Sequence, residues 1–331
     1  MTGYQRAMRA IGFGKPDRIP LCIDYFGPHA MCAQVQAAAL ARFEPDIFTV
    51  RNADAAFMPD AQGRDEWGCI WSTFGDTMGE VIGHPLADWE NLDAWIKNAP
   101  DFTKASRYEA ARGVMAARPD RFFMGGLGFM MMHLINLRGY SQYMMDFYDA
   151  PDELSAVIDV LYRKGSEATA RYAEIGCHAV IAWEDWGLQT SLMMAPDLWR
   201  KFFKQKMGDF IADIHRRNMV YILHSCGCIA DIIEDLIEIG VDVLQLDQQS
   251  NMGLDYLSRY AGRVAFACPA DIQHSSAWDA DAMRRYVAHM AETLATPEGG
   301  LIYKAYSQPW SVGLTQEQCL AECAAFADFR F

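Results

Sequence analysis

Short apolar, β-branched runs recur along this chain, separated by stretches whose apolar positions follow a helical period. From residue 150 onward the pattern is regular: helices at 151–175, 196–217, 230–239, 251–260, 279–294 and 315–329 alternate with strands at 178–183, 220–224, 241–246, 264–267 and 301–304. Strand and helix alternating through short connections imply parallel strands joined by right-handed crossovers. Upstream, the pattern gives a helix at 4–11, a turn at Lys15-Pro16-Asp17-Arg18, a strand at 19–25 and helical sequence up to Leu40. A strand at 46–51, polar helical sequence at 88–117 broken near Pro100, and a strand opening 121–132 follow. About eight strands is the number a closed α/β barrel uses, so the prediction is a TIM-like (β/α)8 barrel, one domain spanning 1–331. The aromatic, glycine-containing segment at 65–82 reads as a small β-hairpin inserted beside it.

Composition narrows the setting. The chain has 331 residues, 51% of them apolar, which suffices for a large core. Its net charge of −14 makes nucleic acid and acidic membrane surfaces poor partners. Nine cysteines, most inside apolar runs, lack the spacing of a disulfide framework. With no apolar run approaching 18 residues and charges near the N-terminus, the expectation is a cytoplasmic protein without membrane spans.

Candidate chemistry gathers where such a barrel keeps it, just past the C-terminal ends of strands. Asp24, Asn52, Glu184, Asp185, His224, Cys226, Asp247, Cys268, Asp271 and Tyr306 all fall there, whereas the opposite ends carry turn residues such as Gly176, Asn218, Gly240 and Gly262. His224 and Cys226, two apart on an extended chain, face one side and suit joint ligation of zinc. Cys268, two strands further along, is a candidate third ligand, with Glu184 or substrate as the fourth; Cys228 faces the helix start. A metal-free alternative uses Asp185, His224 and Asp247 as acid–base groups with Cys226 as a pocket wall. Asp247 and Asp271 equally suit helix capping. The cluster at Phe122, Phe123, Phe129 and Met130 to Met132, with Trp183 and Trp186, reads either as plain core or as the wall against an apolar substrate body. Asp24, Tyr25, Asn52, Met131, His133, Trp186, Asp271 and Tyr306 are candidate substrate-binding residues.

Several motifs carry a family resemblance: Lys-Pro-Asp-Arg-Ile-Pro at 15–20, Asp-Glu-Trp-Gly-Cys at 65–69, Glu-Asp-Trp-Gly at 184–187, His-Ser-Cys-Gly at 224–227, Ile-Gly-Val-Asp-Val-Leu at 239–244 and Asp-Ile-Gln at 271–273. In this order the chain resembles the uroporphyrinogen decarboxylase superfamily, in the branch containing cobamide-dependent methyltransferases. The resemblance implies a barrel with a deep cleft at the strand C-termini. It further implies zinc held by H-x-C and a later Cys, and methyl transfer between a small methoxylated or thiol substrate and a corrinoid carried by a separate protein. The apolar wall favours the O-demethylation direction. Two departures stand out. The decarboxylase's early Arg-Gln-Ala-Gly-Arg motif is replaced by Asp24-Tyr-Phe-Gly-Pro-His29, which disfavours a multiply anionic tetrapyrrole as substrate. Where the late Cys belongs, the chain reads Ala305-Tyr-Ser-Gln-Pro309, with Cys319 and Cys323 already inside the final helix. Two alternatives stay open: decarboxylation of a small organic acid held by Arg51, Arg138 or Lys304, and a non-catalytic binding paralogue. A homo-oligomer is also left open.

Overall fold

The computed structural model describes residues 1–27, 29–52, 60, 63–72, 79–128, 130 and 132–330. Eight strands form one parallel sheet: β1 (Leu21–Cys22), β2 (Ile47–Arg51), β5 (Phe122–Gly126), β6 (Ala179–Trp183), β7 (Val220–Ser225), β8 (Val243–Leu246), β9 (Ala265–Cys268) and β10 (Leu301–Lys304). The remaining two, β3 (Ile70–Ser72) and β4 (Glu80–Gly83), pair antiparallel as the inserted hairpin. The large sheet runs β1-β10-β9-β8-β7-β6-β5-β2, the order of a nearly closed barrel.

The seam between β1 and β2 is closed by a side chain. Asp46 donates its backbone N–H to the Leu21 carbonyl (2.8 Å), and its carboxylate accepts the Leu21 N–H (2.9 Å). Arg6 and Arg18 both pair with this fully buried carboxylate, and Arg6 also grips Asp17. The Lys-Pro-Asp-Arg motif therefore locks the bottom of the barrel, where it compensates a charge that would be costly to bury alone. Because Asp46 takes over the pairing, β1 is shorter than the strand predicted at 19–25. The first helix (Gly3–Ile11), started by a Thr2–Gln5 capping box, plugs the same end with Ala7, Ala10 and Ile11.

One segment departs from the sequence pattern. After β5 the chain forms helices at Met132–Arg138 and Tyr140–Asp149. Met130 packs with Leu134, Ile158 and Leu161, outside the barrel wall. Phe129 and Met131 lie outside the described residues. The Gly-Gly of β5 has a steric cause: a Cβ on Gly125 would stand 2.4 Å from the Tyr172 ring, which lies against the strand. Among the described residues no helix is long and apolar enough to cross a membrane.

The final helix (Gln316–Asp328) carries Glu322 into the buried layer, where its carboxylate accepts the Ala270 N–H at 2.6 Å. Burial pushes its pKa from the ordinary 4.5 up to about 7. Between those values the unfolded chain ionises this group while the folded chain keeps the proton, so its contribution to stability is lost as pH rises through that window. Glu322→Gln is expected to match the wild type near pH 4 and to exceed it by roughly 3 kcal/mol above pH 7, read from urea midpoints. An offset that does not change with pH would show that the carboxylate is ionised inside the fold.

Candidate metal centre at the barrel mouth

Strand parity decides which side chains reach the lumen. Ile181, Ile222, Val243, Ala267 and Ile302 pack together inside the barrel. The two-residue period then points Trp183, His224, Gln245 and Lys304 inward at the upper rim. Cys268 shares its face with Phe266 and belongs to the outer core between strands and helices. Fully buried there, its thiol is pushed far up in pKa by desolvation.

Three donors converge instead on Asp185, His224 and Cys226, whose ligand atoms lie within 4.8 Å of one another. His224 Nε2 stands 3.1 Å from Asp185 Oδ1 and 3.6 Å from Cys226 Sγ. Asp185 reaches this position through a left-handed backbone (φ 43°), a conformation that costs roughly 1 kcal/mol or more in a non-glycine residue. Its Oδ1 also accepts the Cys226 N–H at 3.0 Å, tying the loop after β6 to the loop after β7.

A hydrogen-bond relay fixes the imidazole. The Asp247 carboxylate can only accept, so the Gln245 amide must turn its NH₂ toward it (2.6 Å) and its Oε1 toward His224 Nδ1 (2.5 Å). Nδ1 therefore carries a proton, and Nε2 is the nitrogen left to face Asp185 and Cys226. Lone pairs on oxygen, nitrogen and sulfur meeting this closely repel unless a proton or a metal cation lies among them. Burial opposes a charge on His224, but Cys226 and Asp185 outweigh it and hold its pKa well above the usual value. Asp185, despite burial, is held low by His224 and the Cys226 N–H. Desolvation raises the Cys226 thiol, partly offset by His224. The donor set is thus O, N and S, three protein ligands, which is the number a zinc site of the catalytic type uses.

The other candidates fall in different places. Tyr306 is half-buried near Asp247, Cys226 and His224, with its hydroxyl 3.5 Å from Ser311 Oγ. Asp24 follows β1 close to the inward-facing Cys22. Glu184 is fully buried just past β6 on its outer face, near enough to Tyr143, Tyr162 and Tyr221 to add to the rise that burial gives their hydroxyl pKa values. Trp186 packs edge-on against Trp199 and Phe203 in the helix layer. Tyr25 meets Tyr303 and Cys323 there too, and Asn52 takes the Tyr172 hydroxyl onto its backbone N–H. His133 lies tilted against Trp67 at 4.8 Å and is held neutral, with a pKa near 3, by burial. Asp271 accepts from the Gln273 N–H and pairs with the His274 ring within the loop after β9. None of Glu184, Trp186, Tyr25, Asn52, His133 or Cys268 is brought to the donor cluster, in each case because strand parity or the following helix turns it outward. Gln245 and Gln248, which accepts the Gly227 N–H at 2.9 Å, were not singled out by the sequence; Gln245 is detectable only as the residue two before Asp247 on one strand face.

The family model for uroporphyrinogen decarboxylase (URO-D) matches residues 22–265, more than half of the chain. The chain belongs to the uroporphyrinogen decarboxylase family. Among solved structures, a methyltransferase from Methanosarcina mazei aligns over 99% of both chains with a TM-score of 0.73 at 16% identity. Its fold is shared. A protein from Listeria monocytogenes described as a vitamin-B12-independent methionine synthase aligns over 89% of this chain and 83% of its own, with a TM-score of 0.48 and 13% identity. A D-psicose 3-epimerase gives 0.45 at 8% identity over 89% and 91%. No curated protein sequence matches the chain.

Proposed function

We propose that this member of the family is a zinc-dependent methyltransferase that moves a methyl group between a small methoxylated or thiol substrate and a corrinoid carried by a separate protein. The observation that supports it most is the convergence of Asp185, His224 and Cys226 with Nε2 forced toward the other two donors. Zinc bound there would supply a Lewis acid that keeps a substrate thiol or a departing ether oxygen anionic at neutral pH.

The protein's own groups account for the rest. Asp185 and Cys226 supply the negative charge that a divalent cation needs. Gln245 and Asp247 hold the proton on Nδ1 and so keep the imidazole in the ligating tautomer. Tyr306, with its hydroxyl close to the cluster, is placed to donate a hydrogen bond to a substrate oxygen, and burial keeps that hydroxyl protonated.

The test uses reduced cobalamin as methyl acceptor, with methoxybenzoate and methoxyphenol as donors, and methylcobalamin with 2-mercaptoethanol for the reverse direction. The expected result is a change in cobalamin absorbance that His224→Ala abolishes. Carbon dioxide release from a carboxylate substrate without any methyl transfer would instead make the protein a decarboxylase working through Asp185, His224 and Asp247.

A further inference from the structure

At the mouth of the barrel stands an exposed cation, Arg51, that pairs with no charged group among the described residues. Arg51 ends β2 on the inward face, in step with Ile47, which packs in the inner core. Its guanidinium lies 4.3 Å from the Phe26 ring and 5.5 Å from the Trp183 ring, held between two aromatic faces. The neighbouring Gly126, its register partner, leaves the space: a Cβ there would stand 3.2 Å from the Trp183 ring and 3.4 Å from Arg51 Cγ. Among the described residues, no carboxylate pairs with Arg51 and no acceptor takes its N–H groups. The other two cations that could hold an acid are engaged. Arg138 is bound to Asp146 and to the Leu86 and Ala87 carbonyls, and the Lys304 ammonium donates to the Ala305 carbonyl and Ser307 Oγ.

Position gives this cation a purpose. Trp183 pairs in register with His224, so the indole stands between Arg51 and the donor cluster along the upper rim. Eight strands about 4.8 Å apart, tilted about 36°, put opposite walls of such a barrel roughly 15 Å apart, so rim groups a few strands from one another lie within the span of one small aromatic acid. We infer that Arg51 receives the carboxylate of the substrate, whose flat body lies along Trp183 and presents its methyl-bearing atom to Asp185, His224 and Cys226. This rests on the methyl-transfer reading and narrows it to methoxylated, carboxylate-bearing aromatic compounds. The planar guanidinium fork offers two parallel hydrogen bonds to a carboxylate, and its ring clamp holds it oriented before the ligand arrives. In a chain of net charge −14, with Asp185 and Asp247 at the same mouth of the barrel, an organic acid would be repelled without such a cation.

Calorimetry on the full-length protein, as purified and without a methyl acceptor, tests this with 4-methoxybenzoate and its neutral amide, 4-methoxybenzamide. Wild type is expected to bind the acid at least about tenfold tighter than the amide. Arg51→Gln is expected to erase that preference by weakening the acid alone, and Arg51→Lys to restore part of it, since a point charge lacks the fork. The Arg51 side chain makes no hydrogen bond or ion pair among the described residues, so the variants are expected to fold, which circular dichroism checks. No binding of the acid by the wild type, equal affinities for acid and amide, or an unchanged preference in Arg51→Gln each overturns the assignment. Arg51-dependent binding without any methyl transfer upholds this subsite and sinks the proposed function. Transfer from neutral methyl ethers with no preference for the acid does the reverse.

Discussion

Elemental analysis of the purified protein is expected to find close to one zinc per chain, and His224→Ala, Cys226→Ser and Asp185→Asn each to lose it. Cys268→Ser is expected to keep it, because Cys268 faces the helices while His224 and Cys226 face the lumen. Gln245→Leu separates holding from ligating. It leaves all three donors in place but frees the imidazole to rotate or change tautomer, and is expected to weaken zinc binding about 10- to 100-fold. Competition with a chromogenic chelator reads that loss directly, independent of turnover. Zinc that survives in His224→Ala, or that departs in Cys268→Ser, would break the proposed donor set. Wild-type protein that stays metal-free after reconstitution would remove zinc from the mechanism.

The barrel was legible because its evidence is repetitive: most strands of branched apolar residues are followed by a helix through a short connection, and polar residues gather past the same end of most strands. The hairpin was legible for a similar reason, from its aromatic and glycine content. Which strand face looks inward was not legible. A parallel strand buried on both sides carries no polar alternation, so Ala265-Phe266-Ala267-Cys268 reads the same with either face inward. The structure puts the small alanines in the lumen and the larger Phe266 against the helices, which turns Cys268 away from the donor cluster. On β6 the same rule places Glu184 outside the wall. Asp185 follows it by one residue and still reaches the cluster, through a left-handed turn that no hydrophobic pattern encodes. The H-x-C pair was legible because two residues spaced by two on a strand share a face whichever face it is.

The second large effect concerns the backbone beneath the donors. The loops after β6 and β7 touch through their main chains: Gly187 N–H donates to the Cys226 carbonyl (3.2 Å), and Cys228 N–H donates to the Leu188 carbonyl (2.7 Å). This clamp holds Asp185 against Cys226, and it exists only because neither chain carries a Cβ at the crossing. A Cβ on Gly227 would stand 2.3 Å from the Gly187 carbonyl carbon and oxygen, and one on Gly187 would stand 2.5 Å from the Cys228 nitrogen. Such contacts are with backbone, so no rotamer change relieves them. Gly227 also has a φ of +73°, which adds a conformational cost to the clash. Gly227→Ala is therefore expected to cost more than about 3 kcal/mol and to abolish zinc binding, since the loops must separate to admit the methyl group. Gly253→Ala supplies the comparison. Gly253 has a similar φ of +84° but open space around its Cβ position, so that variant should lose only about 1 kcal/mol and keep its metal. Denaturant midpoints and zinc content of the two variants, measured side by side, separate backbone strain from loss of the clamp. If Gly227→Ala matched Gly253→Ala in both, the crossing of the two loops would not be what holds Asp185 in the site.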